Sequence, residues 1–158
     1  MTQEAVLMII KPDGLNKNLA GEILSHFAKA RLQMIAARLT RASRKQAEAH
    51  YQNIQGQPFF EEAVTFLMGQ FHQQKEVLLV VYCGKNAIAQ CRDIAGATDP
   101  REASAQSIRG LYGHVTPDGV FENVVHVSSS KKEAIREIRL WFKSNEIMNE
   151  SIRKRIWK

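Results

Sequence analysis

Apolar residues along the chain follow two periods, and the change from one to the other marks the elements. Val6-Leu7-Met8-Ile9-Ile10 and Val77-Leu78-Leu79-Val80-Val81 are unbroken apolar runs, the pattern of strands buried on both faces. Met34 to Thr40 reads as a second strand, with Ile35, Ala37 and Leu39 on one face. A fourth strand is predicted over Val120 to His126, an apolar stretch with a histidine at its end. Helical spacing joins Leu19, Ile23, Phe27 and Leu32, with Leu24 beside the stripe. It returns in Phe60, Val64, Leu67 and Phe71, in Ile88, Cys91 and Ile94, and in Ala134, Ile135, Ile138, Trp141 and Phe142.

The punctuation agrees with these periods. Lys11-Pro12-Asp13-Gly14 reads as a turn after the first strand. Ser43 with Gln46 and Ser130 with Glu133 match the capping box, so helices are expected from 44 through His50-Tyr51 and from Lys131 onward. Pro58 suits a first helical turn, and Asn86 is placed to cap the helix after it. Gly96 to Gly119 has no clear period and reads as a long loop, and the tail after Asn145 as irregular or helical. With a helical pair at about 43–71 taken as an insertion, the order is βαββαβ. That predicts an α+β, ferredoxin-like fold with a four-stranded antiparallel sheet and helices on its faces.

Composition narrows the class more than the function. The 158 residues, 44% hydrophobic and 24% charged, suit one globular domain across 1–158. No apolar run approaches the ~20 residues of a membrane span, and Met1-Thr2-Gln3-Glu4 lacks the pattern of a signal peptide. Cys83 and Cys91 lie in apolar contexts, which reads as reduced thiols in a cytoplasmic protein. The net charge of +6 suits polyanions, including nucleotides and nucleic acids, without choosing between them. Arg153, Lys154, Arg155 and Lys158 in the tail read as a solvated end.

Neither a P-loop nor a G-x-G-x-x-G fingerprint is present, and Cys and His spacings offer no zinc site. A nucleotide site would have to be built from scattered side chains, with Lys11, Arg92, Thr98, Arg109 and Asn123 as candidates. Arginine suits phosphate through its bidentate fork, although Arg92 and Arg109 also read as surface ion-pair partners and Thr98 as a turn residue. After the last strand, His126, the run Ser128-Ser129-Ser130 and Glu137 suggest a nucleophile with an orienting carboxylate. Glu137 could instead pair with Arg136 or Arg139. Phe60 fits the helical stripe, which leaves Phe59 partly exposed, and Tyr51 could be a packing residue at a helix end. His26, His50, His72 and His114 read as structural or surface residues.

Taken together, Ile10-Lys11-Pro12-Asp13-Gly14, His50-Tyr51 before Pro58-Phe59-Phe60, Gly96-Ala97-Thr98-Asp99-Pro100, Ile108-Arg109-Gly110, and Asn123-Val124-Val125-His126 before Leu140-Trp141-Phe142 closely resemble the nucleoside diphosphate kinases. The resemblance runs over about residues 4 to 145, in the family's order. It implies γ-phosphate transfer between nucleotides by a ping-pong route through a phosphohistidine, with Mg²⁺ carried by the nucleotide phosphates and no metal ligands in the protein. His126 would be the nucleophile, Glu137 would hold its other ring nitrogen, and Ser128 would support Glu137. Phe59 would stack on the base, and Lys11 and Asn123 would meet the ribose hydroxyl and the transferring phosphate. Tyr51, Arg92, Thr98 and Arg109 would surround the phosphates. The partners implied are nucleoside di- and triphosphates and further copies of the chain, as a tetramer or hexamer, with no membrane; nucleic acid is not expected as the main partner.

The chain departs from the family after the histidine, where Val127-Ser128-Ser129 replaces Gly or Ala followed by Ser-Asp. A β-branched residue resists positive φ, so Val127 raises the question of whether its backbone needs one. Activity is expected to survive, with the valine methyls crowding the pocket edge. Two stretches, near 69–75 and 112–121, look longer than typical. The competing readings are a catalytically silent nucleotide sensor and a nucleic-acid-binding ferredoxin-like module, the latter lacking an aromatic RNP1 pattern.

Overall fold

The computed structural model describes residues 3–158, so the reading of Met1-Thr2 lies outside it. In chain order the elements are β1 (Glu4–Ile10), α1 (Pro12–Asn16), α2 (Ala20–Ala28), β2 (Gln33–Arg41), α3 (Arg44–His50), α4 (Phe60–Leu67), β3 (Glu76–Gly84), α5 (Ala87–Ala95), α6 (Ile108–Tyr112), β4 (His114–Val115), β5 (Phe121–Glu122), β6 (Val125–Val127), α7 (Lys131–Trp141) and α8 (Glu150–Ile156). The main sheet has the order β2-β3-β1-β6, and each pairing is antiparallel. β4 and β5 form a separate hairpin. This is the ferredoxin-like α+β arrangement, with α3 and α4 as the inserted pair.

Both faces of the central strands β1 and β3 are covered, which explains the unbroken apolar runs. Leu7 and Ile9 pack on one side with Val64, Leu67, Ile138 and Trp141. Val6, Met8 and Ile10 pack on the other with Ile23, Phe27, Ile88 and Cys91. An RNA-binding sheet of this topology needs an open face for stacking bases, so the covered sheet gives the nucleic-acid reading no platform.

Several sequence expectations shift for local reasons. On β2 the register advances from Met34 opposite Tyr82 to Ala36 opposite Val81, leaving Ile35 as an extra residue. This bulge turns the strand over, so Ile35 and Ala36 are both buried while Ala37 and Leu39 face outward. Pro12 opens a short helix rather than a turn. Pro58 lies outside α4, which starts at Phe60; the helix ends at Leu67, leaving Phe71 beyond it and exposed. Asn86 occupies the N-cap of α5 in left-handed backbone without a side-chain cap. Ser43 and Gln46 form the full capping box. At α7 only the serine half forms, because Glu133 turns to Arg136 instead. Ile135 lies at the exposed edge of α7. The loop from Gly96 contains α6, and the tail is helical in α8.

The expected strand from Val120 to His126 is broken. β5 ends at Glu122, β6 begins at Val125, and Asn123-Val124 form a tight turn between them. Val125 N–H donates to Asn123 C=O at 2.7 Å across Val124, whose φ is 58°. That is a γ-turn, and Val124 is the one β-branched residue with positive φ among the described residues. Val127, in contrast, is an ordinary β6 residue opposite Met8 and is buried in the core, away from the pocket edge.

Candidate active site

His126 projects from β6, opposite Ile9 of β1, and α7 lies across it. The helical spacing of α7 turns Glu137 inward beside Ile138 and Trp141. Glu137 Oε1 lies 3.1 Å from His126 Nε2, and Ser128 Oγ donates to Glu137 Oε2 at 2.6 Å. Ser128 itself accepts from Leu7 N–H at 3.1 Å, which ties the group to the central strand. A carboxylate only accepts, so His126 Nε2 carries the proton and Nδ1 keeps a lone pair. Burial raises the Glu137 pKa, but the charge that His126 carries when protonated, its hydrogen bond and the Ser128 bond outweigh it, giving about 2. Arg136 does not claim Glu137: it is 3.8 Å away, sits 2.7 Å from Glu133, and donates to the carbonyls of Ala49 and His50.

His50, read from the sequence as structural or surface, is 1% exposed and packs edge-on against His126, with ring centroids 4.4 Å apart. Its Nδ1 accepts from the Trp141 indole at 3.2 Å. Indole only donates, so the His50 proton sits on Nε2. Burial, then the charge of His126, hold its pKa well below the ordinary range. His50, His126 and Glu137 bring one ligand atom each within 4.8 Å of one another. A cation on His50 Nε2 would move its proton to Nδ1 and break the Trp141 bond, so this donor set suits a hydrogen-bonded group better than a metal centre.

Lys11, Tyr51, Phe59, Thr98 and Asn123 line one cavity of about 480 Å³, together with Phe66 and the β5 edge. Lys11 is 6% exposed, and its ammonium stands 4.7 Å from the Phe66 ring centroid. Burial lowers its pKa to about 8, with Asp13 acting in the opposite direction. Asn123 Nδ2 donates to Thr98 C=O at 2.8 Å, and its buried Oδ1 has no partner among the described residues. Tyr51 is raised by burial and by Asp13. Phe59, at the N-cap of α4, is 52% exposed.

The arginines stand apart from this cavity. Arg109 donates to Gly96 C=O at 2.7 Å and to Val125 C=O at 2.8 Å, so its fork braces the backbone. Burial and Arg92 lower its pKa to about 10, which leaves it charged at neutral pH. Arg92 lines a separate open depression with Ser129 and Ser130. His126 does not line the cavity either; His50 bridges it to Tyr51, with ring centroids 4.9 Å apart.

Sequence reasoning missed two further groups. Glu122 receives His72 Nε2 at 2.8 Å, His114 Nε2 at 3.0 Å and Lys17 at 3.1 Å, which joins the two longer stretches beside the cavity. Asp13, fully buried, accepts from Val124 N–H at 2.9 Å. Its place in the Lys-Pro-Asp-Gly motif suggested only a turn.

Comparison with known proteins gives a consistent result. The family model described as nucleoside diphosphate kinase matches residues 4–147. A nucleoside diphosphate kinase of Legionella pneumophila is 40% identical over 149 residues, covering 94% of this chain and 99% of that protein. One from Pyrococcus furiosus is 40% identical over 144 residues, covering 91% and 86%. Among solved structures, a transition state mimic of the Borrelia burgdorferi enzyme with bound vanadate and ADP superposes with a TM-score of 0.84 at 30% identity, covering 93% and 91%. The Aquifex aeolicus enzyme gives 0.82 at 33%, covering 92% and 99%.

Proposed function

The chain belongs to the nucleoside diphosphate kinase family and moves a phosphoryl group from nucleoside triphosphates to nucleoside diphosphates; from that premise we propose which residues carry each step. His126 Nδ1 attacks the γ-phosphorus, and the bond to the β–γ bridging oxygen breaks with its electron pair, releasing the diphosphate. A second diphosphate then attacks the phosphohistidine through a terminal oxygen, and the nitrogen–phosphorus bond returns its pair to the ring. No base is required, because Nδ1 carries no proton. The proton on Nε2 stays against Glu137, whose charge offsets the positive charge that the phosphorylated ring acquires.

Lys11, Tyr51, Arg92, Thr98 and Arg109 surround the phosphates in this reading, and Lys11 and Asn123 meet the ribose hydroxyl. Asn123 Oδ1, without a partner among the described residues, suits a hydroxyl donor. Phe59 offers a stacking face that reads no base edge, which fits tolerance of all bases. The Borrelia neighbour, with its vanadate and ADP, supports placing a nucleotide here. The family works with a divalent cation, and we take it as Mg²⁺ on the phosphate oxygens, since a hard cation prefers oxygen ligands. We extend the reading to a single domain across 1–158, acting in the cytoplasm. The exposed Met34 and Leu39 on edge strand β2 support assembly as a tetramer or hexamer.

One observation carries the proposal: Glu137 holds His126 by Nε2 at 3.1 Å and so leaves Nδ1 free. Incubation with γ-labelled ATP should give an acid-labile, alkali-stable phosphoprotein. His126→Ala should abolish it together with transfer, while ADP binding survives. Ping-pong turnover in that variant would overturn the assignment.

A further inference from the structure

The γ-turn at Val124 lies at the joint of the site. Asn123 precedes it, Val125 C=O behind it anchors Arg109, and His126 is two residues on. A small rotation of this turn would redirect all three groups. Yet its central residue is a buried valine at φ 58°, a region where a β-branched side chain meets steric resistance. Left to itself, this segment would relax toward extended backbone and continue β5 into β6.

What opposes relaxation is the segment 11–14. Asp13 Oδ2 accepts from Val124 N–H at 2.9 Å, and Lys11 N–H donates to Val124 C=O at 2.9 Å, so both polar groups of the strained peptide are held. Gly14 permits the approach: a Cβ there would lie 2.9 Å from Ile10 and 3.1 Å from Val124 C=O. Asp13 is fully buried and its Oδ1 has no hydrogen-bond partner among the described residues. Such a carboxylate is costly to bury unless cations answer it. The cations whose charge it favours are Lys11 and Arg109, the groups assigned above to phosphate.

We propose that Asp13 is a positioning residue for phosphoryl transfer, holding the strained turn at Val124 and thereby aiming Asn123, His126 and the carbonyl that braces Arg109. The inference rests on the reading of His126 as the phosphorylated nucleophile.

Its test is a mutant cycle with two readouts: the single-turnover rate of phosphoenzyme formation from γ-labelled ATP, and ADP affinity measured separately. Asp13→Ala should slow phosphoenzyme formation at least tenfold while ADP affinity changes by less. Val124→Gly in that background should restore at least fivefold, because glycine takes positive φ without help. Val124→Ala removes a similar side chain but keeps Cβ, and should restore nothing. If Asp13→Ala fails to fold, Asp13→Leu keeps a similar bulk without the acceptor; it should slow the step at least tenfold, and Val124→Gly should again narrow the gap. A folded Asp13 variant within twofold of the parent would overturn the proposal, as would equal effects of Gly and Ala at position 124. Absence of phosphoenzyme in the unmutated protein would instead overturn the reading beneath it.

Discussion

The wall that carries His126 and the wall that carries Phe59 differ in how tightly the fold holds them. His126 sits in a strand paired to β1, its Nε2 fixed by a carboxylate that is itself fixed by Ser128 and, through Ser128, by the backbone of Leu7. Glu137 and Ser128 are buried. Phe59 follows a single turn at Gln52–Ile54 and a positive-φ glycine at 56, and it stands half exposed with no side-chain cap beneath it. The difference suits the roles proposed above for each wall. In-line attack on phosphorus depends on orientation to within fractions of an ångström, so the nucleophile needs a rigid frame. Stacking on a base needs only an accessible ring, and some freedom there lets purines and pyrimidines share one platform.

The contrast breaks most sharply at Glu137. Glu137→Gln should slow phosphoenzyme formation about 10²-fold or more, since a preorganised charge opposite the developing positive ring is lost. The same change should show in acid unfolding. The folded pKa of about 2 lies below the ordinary 4.5, so the carboxylate stabilises the fold above pH 4.5 and loses that contribution as pH falls toward 2. The glutamine variant should lack this part of the acid transition. Equal acid profiles for parent and variant would show that Glu137 is less tightly held than its contacts imply.

On the looser wall the effect should be smaller and uniform. Phe59→Ala should weaken binding of each nucleoside diphosphate by ~1–3 kcal/mol, with little difference among bases. Calorimetry with purine and pyrimidine diphosphates measures this, and a large loss confined to one base would make Phe59 a specificity element. The smallest effect belongs to Val127, a core residue of the tight wall whose side chain avoids the pocket. Val127→Gly should lower Tm yet leave kcat/KM within about tenfold of the parent, less than ~1.4 kcal/mol in barrier. A change of several orders of magnitude would mean that the backbone at 127 governs the chemistry.

Much of the tight wall was legible in the residues. Ser130 announces α7, the spacing of Ala134, Ile138 and Trp141 sets its buried face, and Glu137 falls on that face within reach of His126. The continuous runs in β1 and β3 declared strands covered on both sides. The backbone irregularity lies where the sequence reads as plain strand: Val127 only raises the question of a positive φ, and the positive φ is at Val124. The bulge at Ile35 was equally silent, since Met34-Ile35-Ala36-Ala37 is apolar throughout and marks no face.

By itself, then, the amino-acid order determined most of the elements, the buried faces of β1, β3 and α7, and the side chains that carry the family resemblance, because those depend on local period and residue chemistry. Only the tertiary structure decided which of them meet. His50 reaches His126 across 76 residues of chain, Asp13 reaches Val124 across 111, and His72 and His114 converge on Glu122 from separate stretches. Such pairings depend on burial and packing between elements distant in the chain, which leave no periodic trace in either partner. A valine at positive φ persists for the same reason: partners brought in from the far end of the fold hold its peptide where local preference would release it.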